Sequence, residues 1–319
     1  MTRRLPTDMA ASVRQRLANL AHQTQRPLGE VLQYYAIERF LARLSCSAHA
    51  DRFILKGATL LLTWDLPTTR PTRDIDVLAR TENTVPNLVS LLRDVCSTEV
   101  EPDGIEFDPE SVAGQAIREA AEYAGVRVSL TGHLGVARLH LQIDSGFGDR
   151  VLPGPQCIRY PTLLGTPEPR LRGYSRESVI AEKLETMVKL GVINSRMKDF
   201  FDVWQLSRAF PFDGCTLSRA IEATFRARGT PLNPYPTCFT AAFSDAPDKQ
   251  AQWEAFLRRS RLDGKPVSLP EVVAAIRSLI APLLAALAGE SVYAGAWTPP
   301  GPWHEADTDA EPSQEAHES

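Results

Sequence analysis

The chain has 319 residues, a formal net charge of −4, 43% hydrophobic residues and 23% charged residues. Because these values are typical of soluble globular proteins, they exclude a wholly disordered chain and leave room for two packed units, each with its own core. The sequence has no run of 18 or more uncharged apolar residues and its polar N-terminus does not resemble a signal peptide, so we expect no membrane partner.

The cysteines and the distribution of charge indicate the redox compartment and the possible partners of the protein. The five cysteines lack the CxxC or Cys/His spacing of a zinc site, and an odd number of scattered thiols predicts a reducing cytoplasm. Residues 304 to 319 hold six acidic residues and no Lys or Arg, so the net charge of −4 becomes +2 once these six are set aside. Residues 1 to 303 are therefore mildly basic, which permits RNA binding without requiring it.

The first half of the chain shows helical and strand-like segments in turn. Apolar stripes predict a helical arm over residues 8 to 45, with a break at 26 to 29, and the arginines of this arm fit either a solvated helix face or an RNA contact. A helix, a strand, a helix and two strands are predicted next, over residues 57–64, 75–79, 85–95, 124–130 and 136–144. We expect the acidic stretch before residue 124 to be irregular.

Proline and glycine dominate residues 146 to 173, which we interpret as the seam between two domains. Helical periodicity follows over residues 176–190, 198–209, 217–228, 248–258 and 269–288. The apolar run from Leu279 to Leu287 needs a core or a partner to cover it. The predicted fold is α+β (mixed α and β), with a helical arm at 1–50, a mixed-sheet domain at 51–165, a mostly helical domain at 166–290 and a disordered acidic tail at 291–319.

Two aspartates interrupt a segment that otherwise has the composition of a buried strand. Asp74 and Asp76 lie one residue apart in RDIDVLA, so on a strand they face the same side. Two like charges at one place are unfavourable for stability unless a cation lies between them. Carboxylate oxygens suit Mg²⁺, which commonly binds one or two carboxylates together with substrate phosphates. The pair therefore predicts a magnesium site, although an isolated DxD pair also occurs in solvated loops.

The segments around the aspartate pair strengthen this interpretation. Upstream, small residues open the predicted helix at 57–64, and its backbone N–H groups and the Thr59 hydroxyl are candidate phosphate ligands. The candidate nucleotide-binding residues of this turn are Lys56, Gly57, Ala58 and Thr59. Downstream, Asp144 ends the polar side of an alternating strand, where it can supply a third carboxylate. His140 shares that side, and we expect it to be a hydrogen-bonded structural histidine.

Small residues before a helix, then DxD on a strand, then a lone aspartate on a later strand is an order that resembles the polymerase-β-like nucleotidyltransferases. Residues 182–206, EKLETMVKLGVINSRMKDFFDVWQL, resemble the later motifs of the AbiEii/AbiGii-type toxin nucleotidyltransferases, a group that includes the MenT toxins. The earlier stretches ERFLARLS, DRFILKGATLLLTW, RPTRDIDVL, EYAGVRV and LQIDSGFGD also resemble this family in look and order, so the resemblance covers roughly residues 10 to 290. One departure is that Ala58 and Thr59 follow Gly57 where the superfamily has Gly-Ser.

The resemblance implies nucleotidyl transfer, in which an NTP binds with Mg²⁺, an acceptor hydroxyl attacks the α-phosphate and pyrophosphate leaves. It implies a two-metal site held by Asp74, Asp76 and Asp144, and it places Lys183 on the nucleotide phosphates. The RxKDxxD pattern of the family adds four active-site residues, namely Arg196, Lys198, Asp199 and Asp202. The competing interpretation is structural: Lys183 with Asp199, or Arg196 with Asp202, forms an ion pair that only braces the domain seam.

On this resemblance we expect the toxin of a toxin–antitoxin or phage-defence pair, acting in the cytoplasm on the 3′ end of tRNA, with an antitoxin encoded nearby. Modification of that end would block aminoacylation and stop translation. Two alternatives stay open. The same chemistry can act on a protein hydroxyl or a small molecule, because a fold alone does not settle the acceptor. A non-enzymatic binding module, with structural Asp74 and Asp76, is the third hypothesis.

Overall fold

The computed structural model describes residues 9–67, 70–118, 124–262 and 267–305. The chain divides into two compact units: the first comprises residues 1–182 and 256–266, and the second comprises residues 183–255 and 267–319. The division falls between Glu182 and Lys183, inside a helix, whereas the sequence predicted a boundary after residue 165. The difference arises because the segment interpreted as a seam contributes two strands to the sheet of the first unit.

The first unit is built on seven strands. Its elements are α1 (Met9–Gln23), α2 (Leu28–Cys46), β1 (Phe53–Lys56), α3 (Gly57–Leu61), β2 (Asp74–Ala79), α4 (Val85–Cys96), β3 (Ile105–Arg118), β4 (Ala124–Leu134), β5 (Ala137–Gly146), β6 (Gln156–Arg159), β7 (Arg170–Gly173) and the start of α5 (Arg176–Leu190). The strands form one sheet in the order β3-β4-β5-β2-β1-β7-β6. β2 is parallel to β5 and β1 is parallel to β7, while the other neighbours are antiparallel. The predicted mixed α and β fold is confirmed.

The two faces of this sheet differ in polarity. On β2 and β5, the residues Ile75, Val77, Leu141 and Ile143 are buried to 1% exposure or less. Helix α2 contacts β5, and α4 contacts β3 and β4, which gives these apolar side chains a core to enter. The intervening residues of both strands, including the predicted carboxylates, are only partly buried. Strand alternation therefore separates a packed face from a polar face.

The arginines of α2 have a structural role that the sequence did not suggest. Arg39 and Arg43 are buried, at 5% and 8% exposure. Arg43 donates two hydrogen bonds to the carboxylate of Asp103, at 2.8 and 3.2 Å, and Arg39 lies 2.8 Å from Glu38. Neither the solvated face nor the RNA contact expected for these two arginines applies, because both guanidinium groups are paired inside the protein.

Four of the seven strands of this sheet were not predicted from the sequence. β1 has no polar alternation, since all four of its residues are buried. β3 runs through the stretch expected to be irregular, and its register shifts between Asp108 and Ala113, next to Pro109. β6 and β7 are four-residue strands within the Pro- and Gly-rich segment. Short length, full burial and a bulge each remove the period-two signal on which strand prediction depends.

The second unit is mostly helical, as predicted. It contains the end of α5, α6 (Met197–Ala209), β8 (Phe212–Asp213), α7 (Gly214–Ala227), α8 (Ala241–Ser244), most of α9 (Pro247–Ser260), α10 (Leu269–Ala288), β9 (Gly295–Trp297) and β10 (Trp303–Glu305). Helix α10 contacts α6, α7 and α8. The three short strands pair in the order β10-β9-β8.

Helix α10 is the core helix of the second unit. Within the described part of the chain, it is the helix whose length and composition would allow it to cross a membrane. Its residues Leu279, Ile280, Leu283 and Leu284 are each 0% exposed. Burial within the unit accounts for the apolar run without a membrane or a second chain.

The predicted disordered tail begins too early in the sequence. Between residues 291 and 305, β9 and β10 form an antiparallel pair, with Trp303 opposite Trp297. Trp297 is 1% exposed, and its indole N–H donates to the Ser207 carbonyl at 2.7 Å. Two aromatic anchors hold this segment against α6 and α10, since Trp303 donates to the Leu279 carbonyl at 2.9 Å. The acidic residues from 306 onward lie outside the described residues.

Candidate active site

Four charged side chains stand in one row across the polar face of the first unit's sheet. In the strand register, Lys56 of β1 is opposite Asp76 of β2, Asp76 is beside Asp144 of β5, and Asp144 is opposite Arg127 of β4. Directly paired residues share a face, so the row alternates from cation to two carboxylates to cation. Asp74 lies one step along β2 on the same face, beside Gln142. The three predicted carboxylates thus occupy neighbouring positions on one face of the sheet.

Arg127 holds the third carboxylate in a bidentate ion pair. Its Nε and Nη2 atoms donate to Asp144 Oδ1 and Oδ2, both at 2.8 Å, and Gln142 Nε2 approaches Oδ2 at 3.5 Å. The hydrogen bonds to Asp144 raise the pKa of Arg127, and the nearby charges of Asp74 and Asp76 add to this effect. Arg127 is therefore a cation of the site that the sequence analysis missed.

The chain contains a signal from which Arg127 could have been found. The two strands β4 and β5 are joined through Gly135 and Val136, with Leu134 opposite Ala137. Counting outwards from this turn pairs residue 127 with residue 144. The predicted strands ended and began one to four residues from their true limits, so this register was not available from the sequence prediction.

Gly57 allows the backbone to approach Asp76 closely. Its φ is +68°, and a Cβ added there would meet Asp76 Oδ2 at 2.0 Å and Cγ at 2.6 Å. Only glycine combines this dihedral with this space. Gly57 therefore leaves room for the side chain of Asp76 where α3 begins, and its predicted place in a phosphate-binding turn stays a prediction.

The Thr59 hydroxyl is committed to the protein. Thr59 is 0% exposed, and its Oγ1 donates to the backbone carbonyl of Asp74 at 2.8 Å. Ala58 is also buried and offers only its backbone. Helix α3 ends at Leu61, shorter than the predicted helix. Thr59 thus supports the strand that carries the aspartates, which corrects the expectation that its side chain is directed to a phosphate.

Lys56 is likewise held inside the first unit. Its ammonium lies 3.4 Å from Asp149 and 3.3 Å from Glu182, and 5.7 Å from the centre of the Tyr174 ring. The residue is 6% exposed, so it is a buried cation shared by two carboxylates. Asp149 and Glu182 stand inside the motif stretches of the sequence, but neither was predicted as a site residue.

The carboxylates fit a divalent cation in chemistry and in placement. Asp74, Asp76 and Asp144 offer oxygen donors on adjacent strands of one face, which is the donor set that Mg²⁺ prefers. Within the described ranges, however, no three His, Cys, Asp or Glu side chains stand close enough to hold a metal ion. Both oxygens of Asp144 instead accept hydrogen bonds from Arg127. Asp74 and Asp76 would hold the cation, and Asp144 would join them by exchanging partners.

A second charged cluster lies in the second unit. Lys183 Nζ donates to Asp199 Oδ1 at 2.9 Å and to Asp202 Oδ2 at 2.8 Å, and Arg196 Nε donates to Asp199 Oδ2 at 2.6 Å. Asp199 and Asp202 are 1% and 0% exposed. Burial opposes ionisation of Asp199, but Lys183 and Arg196 outweigh it and hold its pKa well below the usual range.

This cluster makes the competing, structural interpretation concrete. Lys183 bridges both aspartates, and Arg196 pairs with Asp199. Lys198 is exposed on the outer side of α6. The active-site roles that the resemblance implies for these five residues stay predictions, since the ion pairs themselves account for the burial of the carboxylates.

Among the described residues, the His140 side chain has no hydrogen-bond partner of the expected kind. The residue is exposed, and the hydrogen bond described for it is made by its backbone carbonyl, which accepts from Gln33 Nε2 at 3.0 Å. Gln33 also donates to the Arg73 carbonyl at 3.3 Å. Helix α2 is therefore tied to the beginning of β2, one residue before Asp74.

The comparison with protein-family models agrees with the motif resemblance. The model of one protein family, described as nucleotidyl transferase AbiEii toxin of a type IV toxin–antitoxin system, matches residues 39–278. A solved H. pylori structure described as a candidate nucleotidyltransferase is similar at 17% identity and a TM-score of 0.46, covering 80% of this chain and 97% of that one. JHP933 from Helicobacter pylori is similar at 17% identity and a TM-score of 0.45, covering 81% and 96%. No curated protein gives a significant match.

Proposed function

Because the chain belongs to the AbiEii nucleotidyl transferase toxin family, we propose that it transfers a nucleoside monophosphate from an NTP to the 3′ end of tRNA. The transfer depends on Mg²⁺ and releases pyrophosphate. The observation that carries this proposal is the placement of Asp76 beside Asp144 on parallel strands, with Asp74 on the same face. Three carboxylates on the polar face of a sheet suit phosphate chemistry better than they suit a structural role.

The chemistry assigned to the site is a substitution at phosphorus. The terminal ribose hydroxyl of the acceptor forms a bond to the α-phosphorus, the bond from that phosphorus to the bridging oxygen breaks, and pyrophosphate leaves with both electrons of that bond. The hydroxyl proton passes to solvent or to a site carboxylate. When bound, Mg²⁺ neutralises phosphate charge and favours the ionised hydroxyl.

The residues of the chain supply position and charge. Asp74 and Asp76 would hold the cation, which would supply charge neutralisation for the triphosphate, while the lack of a side chain at Gly57 leaves room for Asp76. Thr59 fixes the Asp74 backbone from a buried position. Arg127 balances the negative charge of the row, since three carboxylates without a counter-ion would repel one another.

The biological setting follows from the family. We infer that the protein acts in the cytoplasm as the toxin of a toxin–antitoxin, phage-defence pair, with an antitoxin encoded nearby. Modified tRNA cannot be aminoacylated, so translation stops. Residues 1–303 have a mildly basic balance that is compatible with an RNA acceptor.

A labelling experiment tests the proposal. The purified protein is incubated with total tRNA, Mg²⁺ and each labelled NTP in turn, beside the double variant Asp74→Ala/Asp76→Ala. A matched control is Glu99→Ala/Glu101→Ala, which removes two exposed acids with the same spacing from the same unit. Label should enter tRNA with the intact protein and with the control, but not with the aspartate variant. Label on a protein or a small molecule instead would overturn the tRNA acceptor, and no label on any acceptor would overturn the chemistry.

A further inference from the structure

Two groups compete for the carboxylate of Asp144, namely the divalent cation of the proposed site and the guanidinium of Arg127. A cation that uses all three carboxylates needs an oxygen of Asp144, yet both oxygens of this carboxylate accept charge-assisted hydrogen bonds from Arg127 at 2.8 Å. A carboxylate has about four lone-pair positions. Arg127 takes two of them, and Gln142 approaches a third from 3.5 Å. Little of the donor capacity of Asp144 is left for a metal.

The charge of Arg127 acts in the same direction as its hydrogen bonds. The guanidinium lies within electrostatic reach of Asp74 and Asp76 as well as of Asp144. A cation entering between these carboxylates meets a fixed positive charge of the same sign, which weakens its binding. Arg127 therefore already occupies part of the electrostatic role that a metal ion would fill.

We propose that Arg127 is a positioning residue that competes with the divalent cation for Asp144, and thereby sets the cation affinity of the site. This inference rests on the proposed function, because it assumes that the carboxylates bind a metal. In the metal-free protein Arg127 keeps Asp144 oriented and neutralised. When the cation binds through Asp144, the guanidinium gives up at least one of its two hydrogen bonds.

The side chain of Arg127 is free enough to make this exchange. It is 35% exposed, whereas Asp144 is 12% exposed. The pair thus lies at the solvent side of the polar face, where an arginine can leave a carboxylate for water at little cost. In the ion pairs of Lys183 with Asp199 and of Lys56 with Asp149, both the acidic and the basic side chain are more deeply buried than in the pair of Arg127 with Asp144. Neither is suited to exchange with an ion arriving from solvent in the same way.

Mn²⁺ binding to the full chain, measured by calorimetry in the absence of nucleotide, tests the inference. Arg127→Met should bind Mn²⁺ about 3- to 10-fold more tightly than the wild type, since a partly exposed charge pair contributes on this scale. In the Asp144→Asn background, the same Arg127→Met change should raise Mn²⁺ affinity by less than it does in the wild type, because only the charge effect through Asp74 and Asp76 remains. Arg138→Met is the matched control: Arg138 is exposed on the same face of β5, about 20 Å from Asp144, and its removal should change affinity less than 2-fold.

The outcomes separate this inference from the proposed function. Unchanged or weaker Mn²⁺ binding by Arg127→Met would overturn the inference, as would an increase of the same size in the Asp144→Asn background. If the wild type binds Mn²⁺ and Asp74→Ala/Asp76→Ala does not, the metal site stands whatever Arg127 does. If neither the wild type nor any variant binds Mn²⁺, both the inference and the metal dependence of the proposed function fail. Thermal unfolding checks each variant, and Arg127→Gln replaces Arg127→Met if the latter does not fold.

Discussion

The backbone of Gly57 lies against the side chain of Asp76, so closely that a Cβ on residue 57 would meet Asp76 Oδ2 at 2.0 Å. The atoms on the far side of this contact are those of the Asp76 side chain, which projects from strand β2. Asp76 would have to turn away from the row that it forms with Asp144. This contact joins the turn that opens α3 to the strand that carries the aspartate pair.

We therefore expect Gly57→Ala to impair nucleotidyl transfer much more than folding. Moving a site carboxylate by about 1 Å costs on the order of 100-fold in rate, while a non-glycine residue at positive φ costs about 1–2 kcal/mol of stability. Gly154→Ala is the control, because nothing lies within 4 Å of its added Cβ. Single-turnover rates and urea midpoints measure the two effects. Full activity of Gly57→Ala would show that Asp76 does not need its present position.

A Thr59 variant can distinguish whether the Thr59 hydroxyl supports the strand of the aspartates or contacts the substrate. Its buried hydroxyl donates to the Asp74 carbonyl at 2.8 Å. Thr59→Val leaves that carbonyl without this donor and should lower the free energy of unfolding by about 1–3 kcal/mol, with little change in the KM for NTP. Thr59→Ser keeps the hydroxyl and should lose less stability. A raised KM at unchanged stability would instead mean that the hydroxyl contacts a phosphate.

The ammonium of Lys183 compensates two buried carboxylates, so its removal should destabilise the second unit. Lys183→Met leaves Asp199 and Asp202 without their shared cation and should cost about 3–5 kcal/mol at pH 7. Lys198→Met is the control, because Lys198 is exposed on the same stretch of chain. Tryptophan fluorescence in urea reports mainly on this unit, which holds four of the five tryptophans. Equal stability of both variants would contradict the expectation.

The depressed pKa of Asp199 sets the direction of the pH dependence. Because the folded state favours the ionised carboxyl, its contribution to stability is present above the unfolded pKa, about 3.9, and is lost as the pH falls below that value. The wild type should therefore lose stability of the second unit below about pH 4. The loss caused by Lys183→Met should be smaller at pH 4.5 than at pH 7, since protonation relieves an uncompensated buried carboxylate. A loss independent of pH would point to packing instead.

The burial of α10 predicts the response of a core helix. Leu283 is 0% exposed, so Leu283→Ala should lower the free energy of unfolding by about 2–5 kcal/mol. Ala285→Ser changes an exposed position of the same helix and should change stability by less than about 0.5 kcal/mol. Both proteins should be measured by urea unfolding without detergent. A negligible effect at Leu283 would mean that this face of α10 is covered by something other than the unit itself.

The sequence predicted the second half of the chain better than the first for a physical reason. Helices such as α5 and α10 carry a period of 3.6 residues over 15 or 20 residues, and both were predicted with the bounds that the structure shows. β1, β6 and β7 have four residues each, which is too short for any period to stand out. Strands of this length are defined by their partners.

By itself, the sequence determined which chemical groups the candidate site can use. It placed Asp74 and Asp76 on one side of a strand and Asp144 on the polar side of another, and it carried the motif order of the AbiEii family. These features are local, because strand alternation and motif spacing need no knowledge of distant residues. The tertiary structure alone decided which side chains meet. It put Asp144 beside Asp76, paired Asp144 with Arg127, directed Thr59 to a backbone carbonyl and placed Lys56 and Lys183 among carboxylates. Strand order and register are set by packing over the whole sheet, so these pairings cannot be derived from any one segment.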